Sequence, residues 1–417
     1  MRLLVALYLG NEVGALPGIH DQVSYHTLAL RVLGGYGFSF ATAWWPMTAA
    51  NAPTAHWSYL YTFYLTAVYT LLTPTPLIAR LIQAVVVGLC HPWLVYKIGR
   101  LTFNETVGLV AAGLTAVYLY FIYYAAALMT EAFYITGILA SLYLLMRLAK
   151  ASKEEETRLT LLLGLALGGT ILLRQLFLLL VPFLLAWFWW ARYQNGRKLP
   201  IRSTAAVTAI VALLILPFSL YNTQRFGHFV LLNTNAGYAF FLANHPIYGT
   251  NFEPILPPEM GSYQEMIPTE LRHLDEAALE RELMSRGLQF VLADPLRYLQ
   301  LSLSRIPAYF MFWPSADSGL ISNVSRVASF GLLWPFMLYG LIQAFYQNNW
   351  HTIWQQPFFL LALFALLYTG IHLLSWSLVR YRLPVDGVLL IFAGTAVVHI
   401  SQCLLAANKR LQVPVSQ

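Results

Sequence analysis

Charge is what this sequence has least of. Only 10% of its 417 residues are Asp, Glu, Lys or Arg, against about 25% in a soluble domain, too few to cover a water-facing surface. Cysteine is nearly absent as well. Cys90 and Cys403 are the only two, and both fall within apolar segments. They are expected to be small buried hydrophobes and not a disulfide. No phosphate-binding glycine loop is present. Leu33-Gly34-Gly35-Tyr36-Gly37 follows no strand and opens no helix, as a dinucleotide fingerprint would. No two histidines stand three or four apart, so His56, His91, His245, His372 and His399 show no metal-ligand spacing and no metal site is expected. A divalent ion recruited jointly by a carboxylate and a phosphate is left open. No nucleophile elbow occurs, and no internal repeat or low-complexity tract.

What is present is apolar. Hydrophobic residues make up 58% of the chain, and the mean hydropathy is +0.60. About 20 apolar residues cross the ~30 Å hydrocarbon core. Segments of that kind lie at 77–99, 105–124, 131–149, 159–173, 176–192, 203–221, 327–346, 357–376 and 384–405. An all-α polytopic membrane protein is expected. Residues 1–9 are too short to span and Asn11 and Glu12 follow at once, so an upstream piece of a first helix is expected.

The net charge of +7 is no nucleic-acid signal, because the cations sit in short loops where they set orientation. Lys97 and Arg100 mark one cytoplasmic loop. Arg147, Lys150, Lys153 and Arg158 mark the next, then Arg192, Arg197, Lys198 and Arg202, and finally Lys409 and Arg410. An even number of spans separates successive clusters. That parity puts 10–76, 125–130, 174–175, 222–326 and 377–383 outside. The aromatic stretch 57–72 is apolar enough to span, but spanning would invert the count. It is expected to lie along the outer interface. The first external loop, 10–76, is expected to hold an amphipathic helix over 21–33 that stops at Gly34-Gly35. The second, 222–326, is expected to hold a charged helix over 269–292, then an apolar stretch over 296–313, in a small lobe leaning on the membrane. The chain divides accordingly into a core with the first loop (1–221), an external lobe (222–326) and C-terminal helices (327–417).

The acids are mostly solvated: those from Glu253 to Asp317 lie in the second loop, and Glu154–Glu156 in a cytoplasmic run. Glu12, Asp21, Glu105, Glu131 and Asp386 stand near the bilayer, where charge is expensive and functional by default. Glu105 and Asp386 open helices and read as partners of the helix dipole. Asp21 and Glu131 also open helices, and a capping role stands beside a functional one. What distinguishes them is a shared external face with Arg31, Arg80, Arg174, Arg225, Arg380 and Arg382. Arginines there run against the positive-inside rule. A lipid phosphate is their natural partner, because a guanidinium pairs with phosphate bidentately. An acid and arginines at the outer surface suggest transfer from a lipid-phosphate donor. If the lipid carries a sugar, the carboxylate would take the acceptor's proton, and the arginines would stabilise the departing phosphate.

Five short motifs carry a resemblance over most of the chain. They are Asp21-Gln22-Val23-Ser24-Tyr25, Asn51-Ala52-Pro53-Thr54-Ala55-His56-Trp57, Ala79-Arg80-Leu81-Ile82-Gln83-Ala84, Leu128-Met129-Thr130-Glu131-Ala132-Phe133, and Arg380-Tyr381-Arg382-Leu383-Pro384-Val385. In order and spacing the chain resembles the membrane glycosyltransferases of the GT-C superfamily, in the branch of protein mannosyltransferases and bacterial aminoarabinose transferases. The resemblance implies a GT-C-type helix bundle with external juxtamembrane helices. It implies a polyprenyl-phosphate-sugar donor and inversion at the sugar, in a bacterial inner membrane with the site on the periplasmic side. It gives Asp21 the base position and Glu131 the second acidic position. Arg80, Arg174, Arg380 and Arg382 are the candidate phosphate contacts, and Tyr25, His56, Trp57 and Tyr381 the candidate groove lining. The acceptor, a lipid, protein or glycan, stays open. The family often has a Lys or Pro-Pro pair where this chain has Asn51-Ala52-Pro53 and His56, and Pro where it has Gln175. The competing reading is a transporter or flippase of a lipid-linked substrate. Transporters show inverted repeats and midplane charges, whereas here the charges gather at one face.

Overall fold

The computed structural model describes residues 1–14, 20–315 and 318–411. Asp317, counted above among the loop acids, lies outside the described residues, as do the side chains of Lys409 and Arg410. The described residues form helices α1 (Arg2–Leu9), α2 (Asp21–Leu33), α3 (Tyr59–Leu71), α4 (Pro76–Thr102), α5 (Glu105–Val117), α6 (Leu119–Tyr124), α7 (Glu131–Ala149), α8 (Lys153–Leu173), α9 (Val181–Gln194), α10 (Ile201–Phe226), α11 (Ala236–Ala243), α12 (Glu276–Ala293), α13 (Pro295–Tyr309), α14 (Leu320–Arg326), α15 (Leu332–Tyr346), α16 (Pro357–Leu374) and α17 (Leu383–Leu411), with no strand among them. Eight helical segments are long and apolar enough to cross a membrane.

The ninth expected span is broken. Over 105–124 the chain runs as α5 and α6, because Tyr118 is extended at φ −65°, ψ 113°. Carbonyl oxygens at the break are taken up from outside the helix: Arg2 donates to Thr115 O at 3.1 Å and to Ala116 O at 3.4 Å. Elsewhere the boundaries follow local capping. Ser58 accepts from the Tyr61 N–H at the head of α3, and Asn104 from the Val107 N–H at the head of α5. The chain leaves α2 through Gly35 at φ 81°, a conformation that favours glycine.

The spans pack through small residues where backbones come close. α15 lies on α17, and a Cβ at Gly340 would stand 1.9 Å from the Phe392 carbonyl oxygen. α4 lies on α5, α7 on α8 and α8 on α10. α3 has 13 residues, about 20 Å at 1.5 Å per residue, short of a span. It buries Tyr59, Tyr61, Leu65 and Tyr69 against α2, α4 and α8.

A second apolar core, separate from that of the bundle, gathers Tyr238, Phe241, Leu242, Phe252, Ile267, Leu283 and Leu301, with Trp45, Met47 and Trp376 packed on it. The charged helix expected over 269–292 starts later, at Glu276. Asp275 caps it by accepting from the Ala277 and Ala278 N–H groups, and Thr269–Leu271 is only a 3-10 turn. The apolar stretch after it is helical only to Tyr309. Both cysteines are free, but Cys403 is exposed and Cys90 half-buried, not buried as expected. Cys403 sits on the lipid-length last helix, where an apolar position need not face protein.

Candidate active site

The chain ends up with its two singled-out carboxylates on one guanidinium. Asp21 opens α2, Glu131 opens α7, and Arg380 stands in the 3-10 turn Val379–Arg382 ahead of α17. Arg380 Nη1 donates to Asp21 Oδ2 at 3.1 Å and to Glu131 Oε1 at 3.2 Å. Arg174, at the extended end of α8, pairs with the same Glu131 oxygen at 2.5 Å. Its Nε donates to Thr130 Oγ1 at 2.9 Å. Two acids and two arginines thus balance in charge, which is what a site with little water requires.

The cluster has an open side. The Glu131 side chain is 2% exposed and that of Arg380 9%, whereas Asp21 is 20% and Arg174 19% exposed. Glu131 is the buried anchor. Among the described residues, no group donates to Asp21 Oδ1. The Tyr381 ring lies beneath both arginines, 5.7 Å from the Arg174 and 5.1 Å from the Arg380 guanidinium carbon. It is stacked on His372 at 4.8 Å.

The other groove candidates flank the head of α2. Tyr25 meets Trp57 edge-on at 5.4 Å and Tyr61 at 4.9 Å, and its hydroxyl accepts from the Ser58 N–H at 3.2 Å. Burial, and then the Asp21 charge, push the Tyr25 phenol up, so it stays neutral. The His56 ring lies tilted against Trp57 at 5.0 Å, and burial pushes its pKa down.

Two of the four predicted phosphate contacts are elsewhere. Arg382 is wholly buried and pairs with Asp386 at 2.9 Å. Asp386 also accepts from Tyr118 OH at 2.7 Å. Asp386 is therefore more than a helix-dipole acid, and Arg382 is turned to partners inside the protein. Buried charges need partners, and these two take each other, one helical turn apart. Arg80, 1% exposed, donates to the Glu12 and Ala126 carbonyls and the Gln22 amide oxygen.

Several residues that the sequence did not single out complete the site. Thr130 holds Arg174. Gln22, next to Asp21, accepts from both Arg80 and the Leu128 N–H, so it ties α2 to the loop before Glu131. The segment 55–57 is clamped from the second external piece. Asn233 donates to the Ala55 and Trp57 carbonyls and Asn235 to that of His56. The buried Glu276 accepts from the Ala55 N–H at 2.7 Å and from Thr48 and Thr234. The Asn233-Thr234-Asn235 run was the one signal, as three short hydrogen-bonding residues in a row. Among the described residues no three His, Cys, Asp or Glu side chains converge on a point.

Residues 57–221 match the family described as dolichyl-phosphate-mannose-protein mannosyltransferase. That segment holds Arg80, Glu131 and Arg174. In structure the chain is similar to the oligosaccharyltransferase AglB from Archaeoglobus fulgidus, solved with an inhibitory peptide and a dolichol-phosphate. The TM-score is 0.57 at 14% identity, covering 100% of this chain and 51% of that one. The same enzyme tethered to an acceptor peptide gives 0.60 at 14% identity, covering 97% and 49%. ArnT from Cupriavidus metallidurans bound to undecaprenyl phosphate gives 0.48 at 14% identity, covering 100% and 64%. Among curated proteins, none matches the chain in sequence. The chain shares the fold of that archaeal oligosaccharyltransferase. The chain spans about half the length of the oligosaccharyltransferase chains it matches.

Proposed function

We propose that the protein transfers a sugar from a polyprenyl-phosphate-linked donor to an acceptor hydroxyl or amine by one inverting displacement. The observation that carries this reading is the Asp21–Arg380–Glu131–Arg174 cluster. It presents a carboxylate with one oxygen unpartnered among the described residues, beside two partly exposed or bridging guanidinium groups. The family matched over 57–221 and the dolichol-phosphate of the similar fold support a lipid-phosphate donor.

In that reaction the donor phosphate lies against Arg174 and Arg380, each able to donate two hydrogen bonds. The acceptor oxygen or nitrogen approaches the anomeric carbon on the face opposite the phosphate. As the new bond forms, Asp21 takes the acceptor proton. The old C–O bond breaks and its electron pair stays on the phosphate, which leaves with one more negative charge. The arginines meet that charge as it develops. One displacement inverts the anomeric centre. Glu131, held at the core by both arginines, fixes where they stand. Tyr25, His56, Trp57 and Tyr381 line the sugar and the acceptor. The site faces the side opposite the Lys and Arg clusters, which in a bacterial inner membrane is the periplasm.

The test is release of polyprenyl phosphate from a panel of polyprenyl-phosphate sugars by the reconstituted protein. Each would be offered with membrane extract as acceptor and read by mass spectrometry. Release with one sugar, matched by a glycosylated product, supports the reading. Movement of the donor across the vesicle without cleavage contradicts it.

A further inference from the structure

Of the six arginines singled out from the sequence on the external face, four have a carboxylate partner or three hydrogen bonds within the protein. Arg174 and Arg380 sit on carboxylates, Arg382 on Asp386, and Arg80 on two carbonyls and an amide. Arg31 and Arg225 do not. Both hold the same turn, yet only through neutral groups. Arg31 donates to Asn51 Oδ1 at 2.8 Å and Ser39 Oγ at 3.3 Å. Arg225 donates to the Phe38 carbonyl at 2.7 Å. Neither forms an ion pair among the described residues, and Arg31 Nη1 and Arg225 Nε make no hydrogen bond. Each guanidinium lies over a partly exposed tyrosine: Arg31 at 4.0 Å from the Tyr36 ring centre, Arg225 at 4.8 Å from that of Tyr221.

The neighbourhood fixes the level of this pair. Below Arg225 on α10, Leu213, Leu216 and Leu220 are exposed, as lipid-facing residues are. On α2, Leu30 and Leu33 flank Arg31 in the same way, and on α3 so does Phe63. Two tyrosines and two arginines directly beyond an apolar belt stand at headgroup depth. Water there satisfies N–H groups but supplies no counter-charge.

We propose that Arg31 and Arg225, with Tyr36 and Tyr221, form a docking site for the phosphate of an anionic glycerophospholipid of the outer leaflet. The site is separate from the Asp21 cluster. The proposal rests on the orientation given by the Lys and Arg loops, and not on the transferase reading. The lipid phosphate bridges the two guanidinium edges and so pins the turn 36–39 between the ends of α2 and α10. Its acyl chains lie along Leu30, Leu33 and Leu220.

The experiment uses the full chain in nanodiscs of equal parts phosphatidylglycerol and phosphatidylcholine, with the lipids retained after detergent extraction counted by native mass spectrometry. The wild type is expected to retain phosphatidylglycerol preferentially. The Arg31→Gln/Arg225→Gln variant should lose about 25-fold of that preference, about fivefold for each arginine, and the Arg31→Lys/Arg225→Lys variant should keep part of it. Should the glutamine variant fail to fold, titration of the wild type replaces it: phosphatidylglycerol should raise Tm and phosphatidylcholine should not. Equal retention of both lipids by the wild type, or by wild type and a folded glutamine variant alike, would overturn the site. Displacement of phosphatidylglycerol by inorganic phosphate or by polyprenyl phosphate would overturn the assignment to a glycerophospholipid.

Discussion

Asp21 and Glu131, at the heads of α2 and α7, accept hydrogen bonds from one and the same nitrogen, Arg380 Nη1, at 3.1 and 3.2 Å. Neither acid touches the other, so the guanidinium decides how far apart they stand. If the donor phosphate binds Arg380 as proposed and competes for Nη1, it weakens the hold on Asp21 and frees that carboxylate.

Arg380→Ala is expected to weaken donor binding by one to two orders of magnitude or more, since removing one partner of a buried charge pair costs about 2–5 kcal/mol. Tm should fall too, because Glu131 keeps only Arg174. Arg380→Lys should lie between, as a point charge replaces a fork. The measurement is binding of a polyprenyl-phosphate sugar to purified variants. Donor affinity unchanged in a folded Arg380→Ala variant would remove the phosphate role.

The Arg382–Asp386 pair is expected to behave oppositely. Arg382→Met alone leaves Asp386 buried and unpaired, at a cost of about 3–5 kcal/mol. The double variant Arg382→Met/Asp386→Leu should recover most of that stability, with donor affinity near the wild type. Thermal unfolding in detergent distinguishes a structural latch from a ligand contact. A double variant that is stable yet binds no donor would show that Arg382 does face the ligand.

Eight of the nine spans were legible because hydropathy is a property of whole segments. Asp21 and Glu131 were legible as acids that the bilayer should not tolerate, on one face. The partition of the arginines was not. Arg80, Arg174, Arg380 and Arg382 look alike in sequence, and only their partners in the fold separate them. The four-residue step from Arg382 to Asp386 was readable as a helical ion pair, but Pro384 between them pointed to a boundary instead. The break at Tyr118 carried no glycine or proline to announce it. The clamp on His56 was illegible for a different reason. It joins 55–57 to Asn233, Asn235 and Glu276 across the whole core, and no local pattern records such a pairing.

Acid should loosen that clamp region. Burial holds His56 below its ordinary value of 6.5, and burial followed by Arg297 does the same to His245. The unfolded chain then binds protons that the folded chain does not. The stability from these neutral rings is complete above about pH 6.5 and is lost as pH falls toward their lowered values. Tm measured from roughly pH 8 to pH 5 should decline at the acid end, and less steeply in His56→Gln/His245→Gln. An identical slope in that variant would assign the loss to other groups.

The central claim is that Asp21 is the base, and Asp21→Asn tests it most directly. The amide keeps the size of the side chain and one oxygen for Arg380, but takes no proton. In membranes supplied with the polyprenyl-phosphate sugar that the wild type cleaves, release of polyprenyl phosphate should fall by about 10²–10⁴-fold, with donor binding and Tm near the wild type. Release at the wild-type rate from a folded Asp21→Asn protein would contradict it.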